Sequence, residues 1–137
     1  MEKRGILFQA SPDFALAISY NPGYQSILKN LKQSTRQRFI ALEFDYPNAQ
    51  MEQKIVVKET AIEESMAKQL VKFAQMTRNL KGSGLEEGAS TRLLVHAAKL
   101  MKTGVEPVSA CRCAIAQALT DDPDMLSAIN ELSSSLL

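Results

Sequence analysis

A chain of 137 residues that is 45% hydrophobic, 23% charged and 6% aromatic has the make-up of a soluble globular protein and suffices for one ordinary domain, or one small domain with part of another. Its formal net charge of +1 excludes a strong overall pull toward nucleic acid or an anionic membrane, and neither is expected as a partner. No apolar run approaches the roughly 20 residues that span a bilayer, and the basic start Met1–Phe8 has too short an apolar stretch for a secretory signal, so the expected location is cytoplasmic.

The chain divides near Pro47, with two strand-like runs before it and helical patterns after it. Phe14-Ala15-Leu16-Ala17-Ile18-Ser19 is continuously apolar between Pro12-Asp13 and Asn21-Pro22-Gly23, which reads as a strand buried on both faces of a sheet. From Phe39 to Tyr46 the pattern alternates. Ile40, Leu42, Phe44 and Tyr46 share one face and Ala41, Glu43 and Asp45 the other, as in a half-exposed strand near a sheet edge. Ser26–Leu31 and Ser34–Arg38 between them suit short helical turns.

Asn48 is a natural N-cap for a helix to about Thr60, with Met51 and Ile55, and then Ile62, facing inward. A second helix is expected over about Glu63–Leu80, with Met66, Leu70, Phe73 and Leu80 inward and Lys68, Lys72 and Arg78 on its outer face. Lys81-Gly82-Ser83-Gly84 breaks it. Ser90 can cap a helix over about Thr91–Lys102, whose Leu93, Leu94, Ala97, Ala98, Leu100 and Met101 cover most of the circumference and predict a central buried helix. Pro107 fits a first turn, followed by the stripe Val108, Cys111, Ile115, Leu119. Asp122 before Pro123 caps a last helix with Met125, Ile129 and Leu132 inward, and Ser133–Leu137 reads as a frayed tail. The expected fold is mostly α: a two-strand remnant of an α/β sheet over residues 1–47, then four good helical segments over 48–137, enough for a small bundle. Two strands cannot cover a run that is apolar on both faces. The sheet therefore needs neighbours, supplied by more of the same protein or by another chain.

Three segments carry groups suited to chemistry, each with two readings. Ser19-Tyr20-Asn21-Pro22-Gly23-Tyr24 follows the buried run, where open α/β sheets bind ligands. Asn21 there either touches a phosphate oxygen or orients a water, or simply bonds within a turn. Ser34-Thr35-Arg36-Gln37-Arg38-Phe39 places Arg36 and Arg38 either to reach a neighbouring subunit's phosphates or in a solvated basic turn. In Gly88-Ala89-Ser90-Thr91-Arg92 an arginine in a first turn opposes the helix dipole, so Arg92 has an anionic partner: a ligand, or Glu86 or Glu87 in a salt bridge.

His96, among Leu93, Leu94, Val95, Ala97 and Ala98, reads as a core or interface histidine, since no second His or paired thiol supports a metal. Cys111 and Cys113, two apart, point away from each other on a helix and read as reduced thiols. Asp121, Asp122 and Asp124 form a capping cluster. The sequence contains no G-x-x-x-x-G-K-[ST] loop and no strand ending in a paired acidic motif.

In this order the three segments resemble MoxR-type AAA+ ATPases, and more closely the CbbQ/NirQ/NorQ group. Ile18–Ser26 is similar to that group's sensor-1 stretch, Leu31–Phe39 to its arginine-finger stretch, Asn79–Gly82 and Leu85–Leu94 to its sensor-2 region, and Leu119–Asp124 to its C-terminal segment. The resemblance implies that Asn21 acts as sensor 1, Arg38 as the finger on a neighbour's ATP with Arg36 as second candidate, and Arg92 as sensor 2 in a helical lid. It further implies a hexameric ring, ATP and Mg²⁺ as cofactors of the full-length family, a partner with a von Willebrand factor A domain, and a client such as nitric oxide reductase or Rubisco. The family's phosphate-cradling Walker A and Walker B elements precede the matched region, so no ATP hydrolysis, and no tight nucleotide binding, is expected of this chain alone. The leading expectation is a truncated or split ATPase subunit. The alternatives are a non-catalytic helical interaction module and a regulator that inserts into a full-length ring.

Overall fold

The structure, a computed structural model, describes residues 9–19 and 32–137. It divides into two units, Met1–Glu43 and Phe44–Leu137.

In the first unit the described residues contain a turn at Ser11, whose carbonyl accepts from the Phe14 amide at 3.0 Å, and one helical turn, α1 (Gln33–Arg36). The two expected strands do not form among the described residues. Phe14, Leu16 and Ile18 are exposed, and so are Ile40 and Leu42. The reason is the one that made the runs look incomplete: a ladder needs a paired edge, and an apolar face needs a layer to cover it.

The second unit is helical: α2 (Ala49–Thr60), α3 (Glu64–Asn79), α4 (Thr91–Lys102), α5 (Pro107–Cys111) running through a π-helical stretch (Arg112–Ala116) into α6 (Gln117–Leu119), and α7 (Pro123–Leu136). Counting 107–119 as one rod, that is five helices, each at a segment read from the sequence, against the count of four given there for the bundle. Local chemistry sets the boundaries. Asn48 Oδ1 accepts from the Met51 amide at 2.9 Å, and Asp122 Oδ1 from the Met125 amide at 2.8 Å. Helix α2 stops at Ala61, which sits at φ 52° in the left-handed region. Pro107 begins α5, where the Glu106 carboxylate accepts from the Val108 and Ser109 amides.

One core joins all of these helices. Val56 of α2, Leu70, Phe73 and Ala74 of α3, Leu94 and Ala97 of α4, Cys111 and Ile115 of the fourth rod and Ile129 of α7 are fully buried. Each large aliphatic or aromatic side chain among them contributes about 1.5–3 kcal/mol by leaving water. In the fourth rod, Ala110 and Cys111 are buried and then Ile115 and Ala116. That five-residue interval matches the i to i+5 bonding of a π turn, which keeps both pairs on the core face.

Three packing expectations are corrected. Helix α2 turns Glu52 and Val56 inward, while Met51 is 52% exposed. Helix α4 is amphipathic, since Arg92, His96, Lys99 and Lys102 line an exposed side. The tail is not frayed: α7 continues to Leu136, Ser133 is buried, and Gln69 Nε2 donates to the Leu136 carbonyl at 2.7 Å. The hydroxyls of Ser133, Ser134 and Ser135 donate to carbonyls one turn back, so a serine run that reads as loop is satisfied inside a helix.

Candidate functional site

The most organised polar cluster lies where the 80–90 loop enters α4. Glu52 projects from the first turn of α2 into the core with no solvent exposure. Its carboxylate accepts from Arg78 Nη1 at 2.8 Å and Nη2 at 2.7 Å, and from Thr91 Oγ1 at 2.6 Å. Arg78, near the end of α3, also donates from Nε to the Ala89 carbonyl at 2.8 Å. The Tyr46 ring covers this guanidinium at 3.8 Å from its centroid, and the Tyr46 hydroxyl donates to the Gly88 carbonyl at 3.3 Å. The Ala89 amide donates to Thr77 Oγ1 at 3.1 Å, and that hydroxyl donates to the Ala74 carbonyl. A buried charge is tolerated only when paired and hydrogen-bonded, and here every oxygen of Glu52 is used.

Arg78 is thereby moved from the outer face assigned to it to the interior, with a side chain 11% exposed. Glu52, Thr77 and Tyr46 were not singled out by sequence. The available signal was a carboxylate four residues before Val56, on the stripe that burial then selects.

Of the residues proposed for chemistry, Arg92 lies exposed in the first turn of α4, directly after Thr91. Among the described residues it forms no ion pair with Glu86 or Glu87. The Ser90 side chain makes no capping bond, contrary to expectation. Arg38 is exposed just after α1, its amide donating to the Thr35 carbonyl at 3.1 Å, and Arg36 is the last residue of α1. Asn21 lies outside the described residues. His96 is exposed rather than in the core. Cys111 is buried and Cys113 exposed, and burial pushes the Cys111 thiol up to about 12.

The described residues fit a contact to phosphate oxygens, through an exposed guanidinium at a helix start, but not a whole nucleotide site. No Gly-rich cradle is present in the sequence, and among the described residues no group of three or more His, Cys, Asp or Glu is placed to hold a metal ion. No hydrolytic step is therefore assigned to these residues. Among the described residues no helix is long and apolar enough to cross a membrane.

Residues 52–136 match the family model described as CbbQ/NirQ/NorQ C-terminal. The chain is 51% identical over 132 residues to the denitrification regulatory protein NirQ of Pseudomonas aeruginosa, covering 96% of this chain and 51% of that protein. It is 48% identical over 136 residues to protein CbbQ of Hydrogenophilus thermoluteolus, covering 99% and 51%, and 43% identical over 136 residues to protein NorQ of Paracoccus denitrificans, covering 99% and 50%. The chain spans about half the length of the curated relatives it matches. By the family-model match over residues 52–136, the chain belongs to the CbbQ/NirQ/NorQ family.

Proposed function

We propose that this chain provides the sensor and lid portion of a hexameric AAA+ ATPase of the MoxR type, working with a phosphate-binding portion carried elsewhere. Residues 1–47 form the end of the α/β core and residues 48–137 the lid. Asn21 senses the γ-phosphate or its attacking water. Arg38, seconded by Arg36, reaches a neighbouring subunit's ATP, and Arg92 couples the lid to the phosphates. The observation that carries this reading is the family match over residues 52–136 together with an Arg92 that is exposed and pairs with neither nearby glutamate. The relatives' names, a denitrification regulatory protein among them, support a regulatory role; the resemblance extends it to a cytoplasmic activator that remodels a metalloenzyme such as nitric oxide reductase or Rubisco, with a von Willebrand factor A-domain partner. The closed core of the second unit supports a second reading, in which the chain is a non-catalytic module or regulator that inserts into a full-length ring.

The test is complementation. The chain is co-purified with a polypeptide carrying a family member's P-loop and Walker B acid, and magnesium-dependent ATP hydrolysis is measured. The chain alone should show none. The mixture should turn over ATP, and Arg38→Ala should lower that rate by on the order of 10³ to 10⁵. Hydrolysis by the chain alone, or an inert mixture, overturns the proposal; binding without turnover favours the second reading.

A further inference from the structure

From the geometry we infer that Glu52, Arg78, Tyr46 and Thr91 form a positioning device that sets the first turn of α4 and so aims Arg92; its consequence for nucleotide affinity rests on the function proposed above.

Helix α4 lacks the usual anchors of a helix start. Its first turn holds no acidic residue, and the Ser90 side chain does not cap it. The missing negative charge comes from another helix, since Glu52 of α2 accepts from Thr91 Oγ1 at 2.6 Å. The preceding loop is held by the same cluster at successive residues: the Gly88 carbonyl by Tyr46, the Ala89 carbonyl by Arg78 and the Ala89 amide by Thr77. Four points of attachment within residues 88–91 leave the backbone before Arg92 little freedom.

Stability alone does not account for this cluster. A buried ion pair is often no better than a well-packed apolar pair of the same volume, whereas charged groups with strict geometry can specify one arrangement over others. The arrangement here is specific. Arg78 presents a two-pronged guanidinium to the carboxylate, a ring covers its face, and Gly88 lets the loop approach so closely that a Cβ there would sit 2.5 Å from Arg78 Cα. Tyr46 is also the third residue of the second unit, so the point where the chain enters that unit is tied to the start of the helix that carries Arg92.

Substitutions of Glu52 or Arg78 risk unfolding the chain, so the test uses Thr91→Val and Tyr46→Phe, which each delete one hydroxyl, and Thr91→Ser, which restores one. Amide hydrogen exchange is measured on the full chain. Thr91→Val and Tyr46→Phe should speed exchange of the amides at 88–94 by on the order of tenfold, leave those of α7 at wild-type rates, and Thr91→Ser should restore protection. Unchanged rates at 88–94, or an equal loss of protection in every helix, overturns the inference. In the complemented assembly Thr91→Val should raise KM for ATP several-fold and leave kcat unchanged. If the wild-type assembly shows no turnover, the proposed function fails while hydrogen exchange still decides the positioning role.

Discussion

Arg78 and Glu52, one helix apart in space and 26 residues apart in sequence, meet through two parallel hydrogen bonds of 2.8 and 2.7 Å, and the carboxylate is wholly shielded from water. Removing one partner leaves the other buried and uncompensated. Glu52→Gln should therefore destabilise the chain by about 3–5 kcal/mol, seen as a lower urea midpoint. Replacing both partners with apolar residues of similar size should cost clearly less than the sum of the single changes. If the two single losses simply add, the pair is not coupled as described.

Gly88 faces Arg78 across a gap that no Cβ can enter, since the new atom would lie 2.5 Å from both Cα and Cγ of Arg78. Because backbone is involved, a rotamer change cannot relieve the clash. Gly88→Ala should cost about 1–3 kcal/mol as overpacking, with the largest chemical-shift changes at Ala89, Thr91 and Tyr46. Wild-type stability in this variant would show that the loop relaxes freely.

Arg92 is exposed and forms no ion pair with Glu86 or Glu87. Arg92→Ala should thus leave stability within about 0.5 kcal/mol of wild type, while Ile115→Ala, at a fully buried site, should cost about 2–5 kcal/mol. Thermal melts of the two variants side by side test the contrast. A large drop for Arg92→Ala would assign it a structural role.

The two thiols should separate by reactivity. Cys113 is exposed and should react with a maleimide in the native state, whereas Cys111 is buried with its thiol pushed up to about 12 and should react only on unfolding. The folded value lies above the unfolded one. The thiol's contribution is therefore complete below about pH 8.5 and is lost as pH rises toward the folded value of about 12. Mass spectrometry after labelling should find a single adduct, and rapid double labelling of native protein would contradict the packing.

Glu106 caps α5, and the backbone amides of Val108 and Ser109 hold its carboxyl below the ordinary glutamate value. A lowered folded value means that the cap's contribution is present above the unfolded value and is lost as pH falls through the folded one. The Glu106 side-chain carbon should titrate below a free glutamate in NMR, with Val108 and Ser109 amide shifts moving in step. Titration at the ordinary value would remove the capping bonds.

Much of the second unit was legible because helices are local objects. Asn48 and Asp122 mark starts through bonds that span three residues, Pro107 marks one through its fixed φ, and Leu70, Phe73, Ile115 and Ile129 declare their faces by spacing. The chain before Pro47 was legible in a different sense: the runs at 14–19 and 39–46 announced a need for neighbours, and without a paired edge they form no strand among the described residues. The motif around Arg92 could be read in order along the chain, and its place at the start of α4 followed from the loop glycines before it.

What sequence determined by itself, then, was most of the helical segments, the caps at Asn48 and Asp122 and the family to which the chain belongs, because each depends on nearby residues or on their order. Only the tertiary structure decided that Glu52 and Arg78 are interior, that Tyr46 covers the guanidinium, that the serine tail is helical and that His96 is exposed. A charged side chain reads as solvent-facing until a partner from another helix is brought within 3 Å. That encounter depends on how α2, α3 and the 80–90 loop pack together, a relation that no local pattern encodes.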